Sequence, residues 1–471
     1  MIRKSFIALF VVFSFFGCKN IIINNERQDC SVPERLSNID LSKTNNLTVS
    51  EMEEYLLKAL QMEKENVSRA IMDENKYDLS LVQTDLIEFC TENKTERCIT
   101  DNFGKVQLFL YNFSNKEKKE NGYAITSTDT RIGNILAIVY DSDFSVDDGF
   151  SDFYYPLLIE YVKKIGSICQ QYEQLNNNKS VYSDIATSGE YTFNSWSYHN
   201  GNLNNIINLE WNQSYPYNMI VSQKFNSNYY TGCGPTALAM LLANIEYPEQ
   251  CSISEYQDVK YDWDAMKASS KAIYLPYDSQ YMIGVLMYEL GKKLNCSYSS
   301  DGTGCYDINI SDYVHENLCN DTDFYSYNVN TIKDSIDKGY PVLCGGSSKK
   351  KVTKYKLFGK TIWTKTNYSE GHYWIIDGYA TLSCTATNIL NNETVNIQDL
   401  FLHCNPGWGG NKNGYYFAGV FDFNHVPTKS VSGRGTSTTT SYTRYYYQYD
   451  LGIFPYIRKD YNMTLQEDDD E

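Results

Sequence analysis

The chain has 471 residues, 42% of them apolar, and a formal net charge of −17. That length exceeds one ordinary core and predicts two or three units of about 100–200 residues; the apolar share excludes a chain disordered throughout. The acidic balance repels phosphate backbones and excludes general nucleic-acid binding.

The first 18 residues read as a secretory signal rather than as fold. Arg3 and Lys4 precede an apolar run, Phe6 to Phe16, broken only by Ser14. The run is shorter than the ~20 residues a membrane-spanning helix needs. Gly17-Cys18 closes it and resembles the end of a bacterial lipoprotein signal. The resemblance implies lipid on Cys18 and attachment to a membrane through it. Residues 19–46 are polar and Asn-rich, a tether.

Val49-Ser50-Glu51-Met52 opens a helix, with Ser50 as its cap and acids in its first turn. Leu56, Leu57, Leu60 and Met62 form its apolar stripe. Val106 to Phe113 alternates as a strand does, and Gly122 to Ser127 follows after a charged loop. Ile135 to Tyr140 is continuously apolar, as in a buried strand, and Phe153 to Ile168 has a helical pattern. Together these predict a small α+β domain over 47–187. Its end, from about Gln170 to Ser188, is polar and reads as a linker.

A second domain is expected over 188–461. Helices are expected at Thr236 to Ile245, Met282 to Leu294 and Thr331 to Lys338. Strands are expected at Val342 to Gly345, His372 to Tyr379, Leu400 to Cys404, Tyr415 to Phe421 and Tyr445 to Tyr456. Helices first and an antiparallel sheet after make this α+β again. Between Lys349 and Lys365 stand seven Lys and no acid, read as an inserted hairpin. It is either a solvated ribbon or a lip of a cleft that favours acidic substrates. Ser430 to Thr443 is rich in Gly, Ser and Thr, a mobile loop. Residues 462–471 form an acidic tail.

Cys233 lies in Tyr230-Thr231-Gly232-Cys233-Gly234-Pro235. Pro235 suits the first turn of a helix, so Cys233 is expected at a helix N-terminus, where the partial positive charge favours thiolate. Gly232 and Gly234 let a substrate backbone approach closely. A thiolate nucleophile needs a base. Of five His, His372 begins an apolar strand directly after Gly371, 139 residues beyond Cys233. Asn405, at a strand end before Gly-rich Gly407-Trp408-Gly409-Gly410, could accept the His372 ring N–H, with Trp408 shielding that bond. Gln213, 20 residues before Cys233, could donate to an oxyanion beside the Cys233 N–H. Each feature alone also has a bland reading: a buried structural thiol, a satisfied histidine, an Asn in a turn.

In order, WNQ-x-x-PYN from Trp211, TGCGPTA from Thr231, GHYWIIDGY from Gly371 and HCNPGWGG-x-x-x-GYY from His403 resemble the streptopain family of papain-like cysteine proteases. Tyr261-Asp262-Trp263-Asp264, Met287 to Gly291 and Lys338 to Val342 agree, so the resemblance covers nearly all of 205–457. It implies a papain-like protease domain with Cys233 as nucleophile, His372 as base and acid, Gln213 as oxyanion donor and Asn405 as the group that orients His372. Gly232, Gly371 and Trp408 would line the substrate site. No cofactor and no metal is implied. Asn121 to Ile125 and Ile135 to Asp141 resemble the family's inhibitory propeptide, so the first domain would block the cleft until cleaved. Two departures stand out: Pro406 follows Asn405 where the family often has Trp, and the Cys-Trp pattern of papain itself is absent.

The reading is an exported, lipid-anchored cysteine endopeptidase made as a zymogen, acting on protein or peptide substrates. Two rivals remain at this level: a Cys-His amidase or acyltransferase on cell-wall peptides, and a non-catalytic surface-binding lipoprotein on a protease scaffold. Of 13 Cys, setting aside Cys18 and Cys233 leaves an odd number. The absence of CxxC pairs argues against zinc. Cys296 and Cys305, or Cys90 and Cys98, are spaced to bridge locally.

Overall fold

A computed structural model describes residues 39–40, 46–62, 77–88, 105–115, 120–141, 189–194, 197–200, 206–300, 302–318, 325–357, 360–390, 392–417, 421–422, 446–447 and 449–458. The leader with Cys18, the expected helix at 153–168, the linker, the loop at 430–443 and the acidic tail lie outside the described residues.

The N-terminal part opens with β1 (Ile39–Asp40) and α1 (Val49–Met62). Thr48, rather than the expected Ser50, caps α1. The Thr48 Oγ1 accepts from the Glu51 N–H at 3.2 Å, and Glu51 Oε2 accepts from the Thr48 N–H and O–H at 2.8 Å each. Two orphan donors of the first turn are thus satisfied reciprocally. Met52, Leu56, Ala59 and Leu60, spaced three and four apart, are the buried stripe. Four antiparallel strands follow: β2 (Asp78–Glu88), β3 (Lys105–Asn115), β4 (Glu120–Ser127) and β5 (Ile135–Tyr140). Ile135 to Val139 are all buried, as the unbroken apolar run predicted. β2 was not foreseen: it is an edge strand that leaves Leu81 and Leu86 half exposed, so its polar positions mask the alternation.

Next come β6 (Gly189–Phe193) and β7 (Ser197–Asn200), then a helical layer. The layer holds α2 (Met219–Phe225), α3 (Cys233–Ile245), α4 (Trp263–Lys267) and α5 (Tyr277–Lys293). A short hairpin, β8 (Ser297–Ser299) and β9 (Gly302–Gly304), leads to α6 (Asp307–Asn317), β10 (Tyr325–Ser326) and α7 (Val329–Asp337). α3 is apolar all round because it is buried all round, from Gly234 to Ala243. Each Leu or Met sealed there contributes roughly 1.5–3 kcal/mol.

The sheet of the C-terminal part is built from β11 (Val342–Leu357), β12 (Lys360–Asn388), β13 (Thr394–Asn405), β14 (Gly414–Phe417), β15 (Phe421–Asp422), β16 (Tyr446–Tyr447) and β17 (Tyr449–Phe454). β11 and β12 pair from Val342↔Ile376 out to Leu357↔Lys360, so the Lys-rich segment is the hairpin its sequence predicted. The α+β expectation holds: a helical layer packs on an antiparallel sheet. No helix among the described residues is long and apolar enough to cross a membrane.

The two parts share one sheet. Among the described residues its thirteen strands include the path β10-β17-β11-β12-β13-β14-β5-β4-β3-β2. The joint is β14 against β5, with Gly414↔Val139, Tyr415↔Ile138 and Tyr416↔Ala137. The Lys412 ammonium also stands over the Tyr123 ring at 5.1 Å. A Cβ on Gly414 would come within 2.3 Å of the Ile138 carbonyl oxygen. Gly414→Val is therefore expected to part β5 from β14 at a cost of about 1–3 kcal/mol. Limited proteolysis should then release the N-terminal part faster than in the wild type; an unchanged digest would show that other contacts carry the joint.

Candidate active site

Cys233 is the first residue of α3, and Gly232 at the cap has φ +98°. A side chain there would be strained and would press on Thr303, 3.0 Å from the position of a Cβ. The Thr236 hydroxyl donates to the Gly232 carbonyl at 2.8 Å and lies 2.9 Å from the Thr231 hydroxyl. These bonds brace the turn that presents the thiol.

Burial pushes the Cys233 thiol up to about 12, and the nearby Cys305 thiol adds to the rise. The backbone amides of Tyr373, Gly234 and Cys233 face the sulfur and act the other way. Cys233 keeps partial exposure, but the thiolate expected from its helix N-terminus is not the resting state here. Desolvation, which disfavours charge, outweighs the helix end. The Tyr373 amide at the sulfur puts Cys233 against β12 immediately beside His372.

His372 is 4% exposed. Its Nε2 lies 2.9 Å from the Pro406 carbonyl oxygen. A carbonyl only accepts, so Nε2 carries the proton and donates. Trp408 covers the ring at 4.9 Å between centroids, and Trp374 and Tyr447 stand at 6.3 and 5.3 Å. Trp408 is thus placed to shield the His372 bond, as expected, but the acceptor is Pro406 rather than the Asn405 side chain.

Asn405 does something else. Its Nδ2 donates to the Leu209 carbonyl at 2.7 Å, and its Oδ1 accepts from the Gly407 N–H at 3.0 Å. The side chain is almost wholly buried and closes the turn from which Pro406 reaches His372. Asn405→Ala would orphan the Leu209 carbonyl, a loss of about 1–3 kcal/mol. Denaturant melts should show that loss. An unchanged melt with lost activity would instead favour direct action on His372.

One extended segment laces the motifs together. Its Leu209 carbonyl takes Asn405, its Trp211 carbonyl takes the Gly409 N–H at 3.0 Å, and its Gln213 carbonyl takes the Thr231 N–H at 3.0 Å. Gln213 therefore sits two residues from Cys233 across that last bond, and is half-buried. Gly371 begins the same stretch of β12 as His372 and is exposed.

Sequence reasoning passed over a second buried histidine. His403 Nδ1 lies 2.6 Å from Asp377 Oδ1, and Asp377 Oδ2 accepts from the Ile207 N–H at 3.3 Å. Both residues fall inside quoted motifs, yet nothing local marks them as partners: the contact depends on the β12–β13 register. The pair anchors the strand that carries Leu209 to Gln213. A cavity of about 740 Å³, lined by Leu47, Phe193 and Cys384 among others, lies elsewhere and holds none of these groups.

Residues 211–416 match the profile of the Peptidase C10 family. The thiol protease/hemagglutinin PrtT of Porphyromonas gingivalis is 22% identical over 245 residues, 48% of this chain. The chain spans only 25% of the length of that relative. Two solved structures from Prevotella intermedia are also similar. A prointerpain A fragment is 16% identical with a TM-score of 0.38, covering 71% of this chain and 91% of that one. Active interpain A, a cysteine protease, is 17% identical with a TM-score of 0.35, covering 54% and 94%. Across the segment that carries Trp211, Cys233, His372 and Asn405, the chain belongs to Peptidase C10, the streptopain family of cysteine proteases.

Proposed function

We propose that this protease is an exported endopeptidase made as a zymogen, with Cys233 as nucleophile and His372 as its base. The observation that carries the reading is the His372 ring: Nε2 is tied to the Pro406 carbonyl, on a strand whose next amide faces the Cys233 sulfur. With Nε2 so held, Nδ1 is the nitrogen assigned to take the thiol proton. The thiolate attacks the scissile carbonyl, and the Cys233 N–H and Gln213 amide hold the oxyanion; such a donor typically contributes about 10²–10³ in rate. His372 then protonates the leaving amine and activates water to free the acyl group. Asn405 acts through the turn it closes. Gly232, Gly371 and Trp408 border the substrate. No cofactor or metal enters these steps.

The thiol held up at about 12 supports a latent chain. The shared sheet supports residues 47–187 as an intramolecular inhibitor seated on β14. Cleavage within 170–205 would release a catalytic domain, 188–461, from the propeptide and from lipid on Cys18. The family match favours this over the amidase and the inert scaffold. The test is a time course of the purified chain with casein, beside Cys233→Ala. The wild type should shorten to about the second domain and degrade casein, and the variant should do neither. A variant processed normally when pure would end self-maturation; a wild type that never attacks casein, even when cut near Asn205, would end the endopeptidase.

A further inference from the structure

Cys296 and Cys305 belong to no step above. The β8–β9 hairpin pairs Ser297 with Gly304, Tyr298 with Thr303 and Ser299 with Gly302. One rung further from the turn, that register sets Cys296 opposite Cys305. The Cys296 N–H is already given to the Gly291 carbonyl at 2.9 Å, at the end of α5. The rung is therefore not hydrogen-bonded, the kind that brings facing side chains closest, with Cα atoms about 4.5 Å apart. A disulfide accepts about 4.4–6.8 Å. Both residues are half-buried thiols in this structure, and the two sulfurs are in hydrogen-bond contact.

The hairpin is also the outer wall of the nucleophile turn. The Thr303 hydroxyl donates to the Tyr230 carbonyl at 2.6 Å, and Thr303 fills the space beside Gly232. The Cys305 sulfur lies against Gly234, 2.7 Å from where a Cβ would stand. Cys305 is thus close enough to Cys233 for either sulfur to feel the other's charge.

We propose that Cys296 and Cys305 form a disulfide in the exported protein, which clamps the hairpin behind Cys233 and keeps Cys305 from capturing the nucleophile. The oxidant is a small disulfide such as oxidised glutathione. One cysteine, as thiolate, attacks its S–S bond and expels one glutathione thiolate. The second cysteine, after losing its proton, displaces the other glutathione. One protein S–S bond forms, the oxidant's S–S bond is reduced to two thiols, and protons balance. Export supplies the oxidising setting, the only point at which the inference leans on the functional reading.

The test reads sulfur, not catalysis, so an inactive Cys233 would not disturb it. The purified full chain is incubated with oxidised glutathione, remaining thiols are alkylated, and non-reduced digests are mapped by mass spectrometry. The expected map joins the Cys296 and Cys305 peptides, and reductant separates them. Under the same oxidation, Cys296→Ser should give a new link between Cys305 and Cys233, absent from Cys296→Ser with Cys305→Ser. A wild-type map with both cysteines alkylated, or with Cys305 joined to Cys233, overturns the bridge without any variant. A Cys296→Ser map with Cys233 still free overturns the protective half.

Discussion

Cys233→Ala and His372→Ala are each expected to lower casein hydrolysis by about 10⁶-fold, and the double variant hardly further, because nucleophile and base act as one unit. The comparison belongs on catalytic domain already freed, so that maturation does not confound it. In the full chain the same site makes a pH statement. With the Cys233 thiol pushed up to about 12, almost all of it is protonated at neutral pH. Thiolate is the reactive form, so alkylation of Cys233 should rise about tenfold per pH unit between about 7 and 10. Freed domain in which His372 takes the thiol proton should lose that steep dependence. Equal, flat alkylation of both forms would mean that the thiol is no less ionised before cleavage than after it.

Arg131→Leu is the substitution expected to cost most in stability. Arg131 and Asp129 are 1% and 3% exposed. The guanidinium holds Asp129 through Nε at 2.9 Å and Nη2 at 2.5 Å, and the Arg131 N–H donates to the same carboxylate at 2.9 Å. Losing the cation leaves a buried, uncompensated charge, a loss of about 3–5 kcal/mol. The turn that holds the pair reaches in three directions. The Thr128 carbonyl takes the Leu47 N–H before α1, the Thr130 hydroxyl donates to the Phe193 carbonyl in β6, and Asn134 closes the turn onto Ser127. Urea melts should show the loss. Adding Asp129→Asn should recover part of it, since the stranded charge is then gone. An Arg131→Leu chain as stable as wild type would mean that the carboxylate finds other donors.

The parts of this fold legible in the sequence are those where one period dominates. The unbroken run at Ile135 to Tyr140 and the apolar stretch after Pro235 could only be buried, and they are. Helices with mixed faces, such as Asp307–Asn317, gave no such signal, and Asp78–Glu88 hid its strand character behind exposed positions. The Lys-rich hairpin was readable because nothing in it needed a distant partner. The site shows the same division. Cys233, His372 and the Gly-rich turn stand in local motifs. The use of the Asn405 amide was not readable: which of two neighbouring acceptors, Oδ1 of residue 405 or the carbonyl of residue 406, reaches His372 is decided by the twist of one turn. Pro406 was visible as a departure, and it is the residue whose carbonyl takes the histidine proton. Thr48 rather than Ser50 at the helix start is a smaller case, settled by where Glu51 folds back.

The joint between β5 and β14 also bears on the life of the enzyme after maturation. While the chain is whole, the backbone donors and acceptors of β14 on that side are spoken for. Removal of the N-terminal part leaves them without partners, and an unpaired strand edge is a template for another extended chain. Four residues, Gly414 to Phe417, are few for an edge, which limits what can add to it. The freed enzyme would nonetheless carry a sticky border one turn away from Trp408, and its tendency to self-associate should increase at the moment the inhibitor leaves.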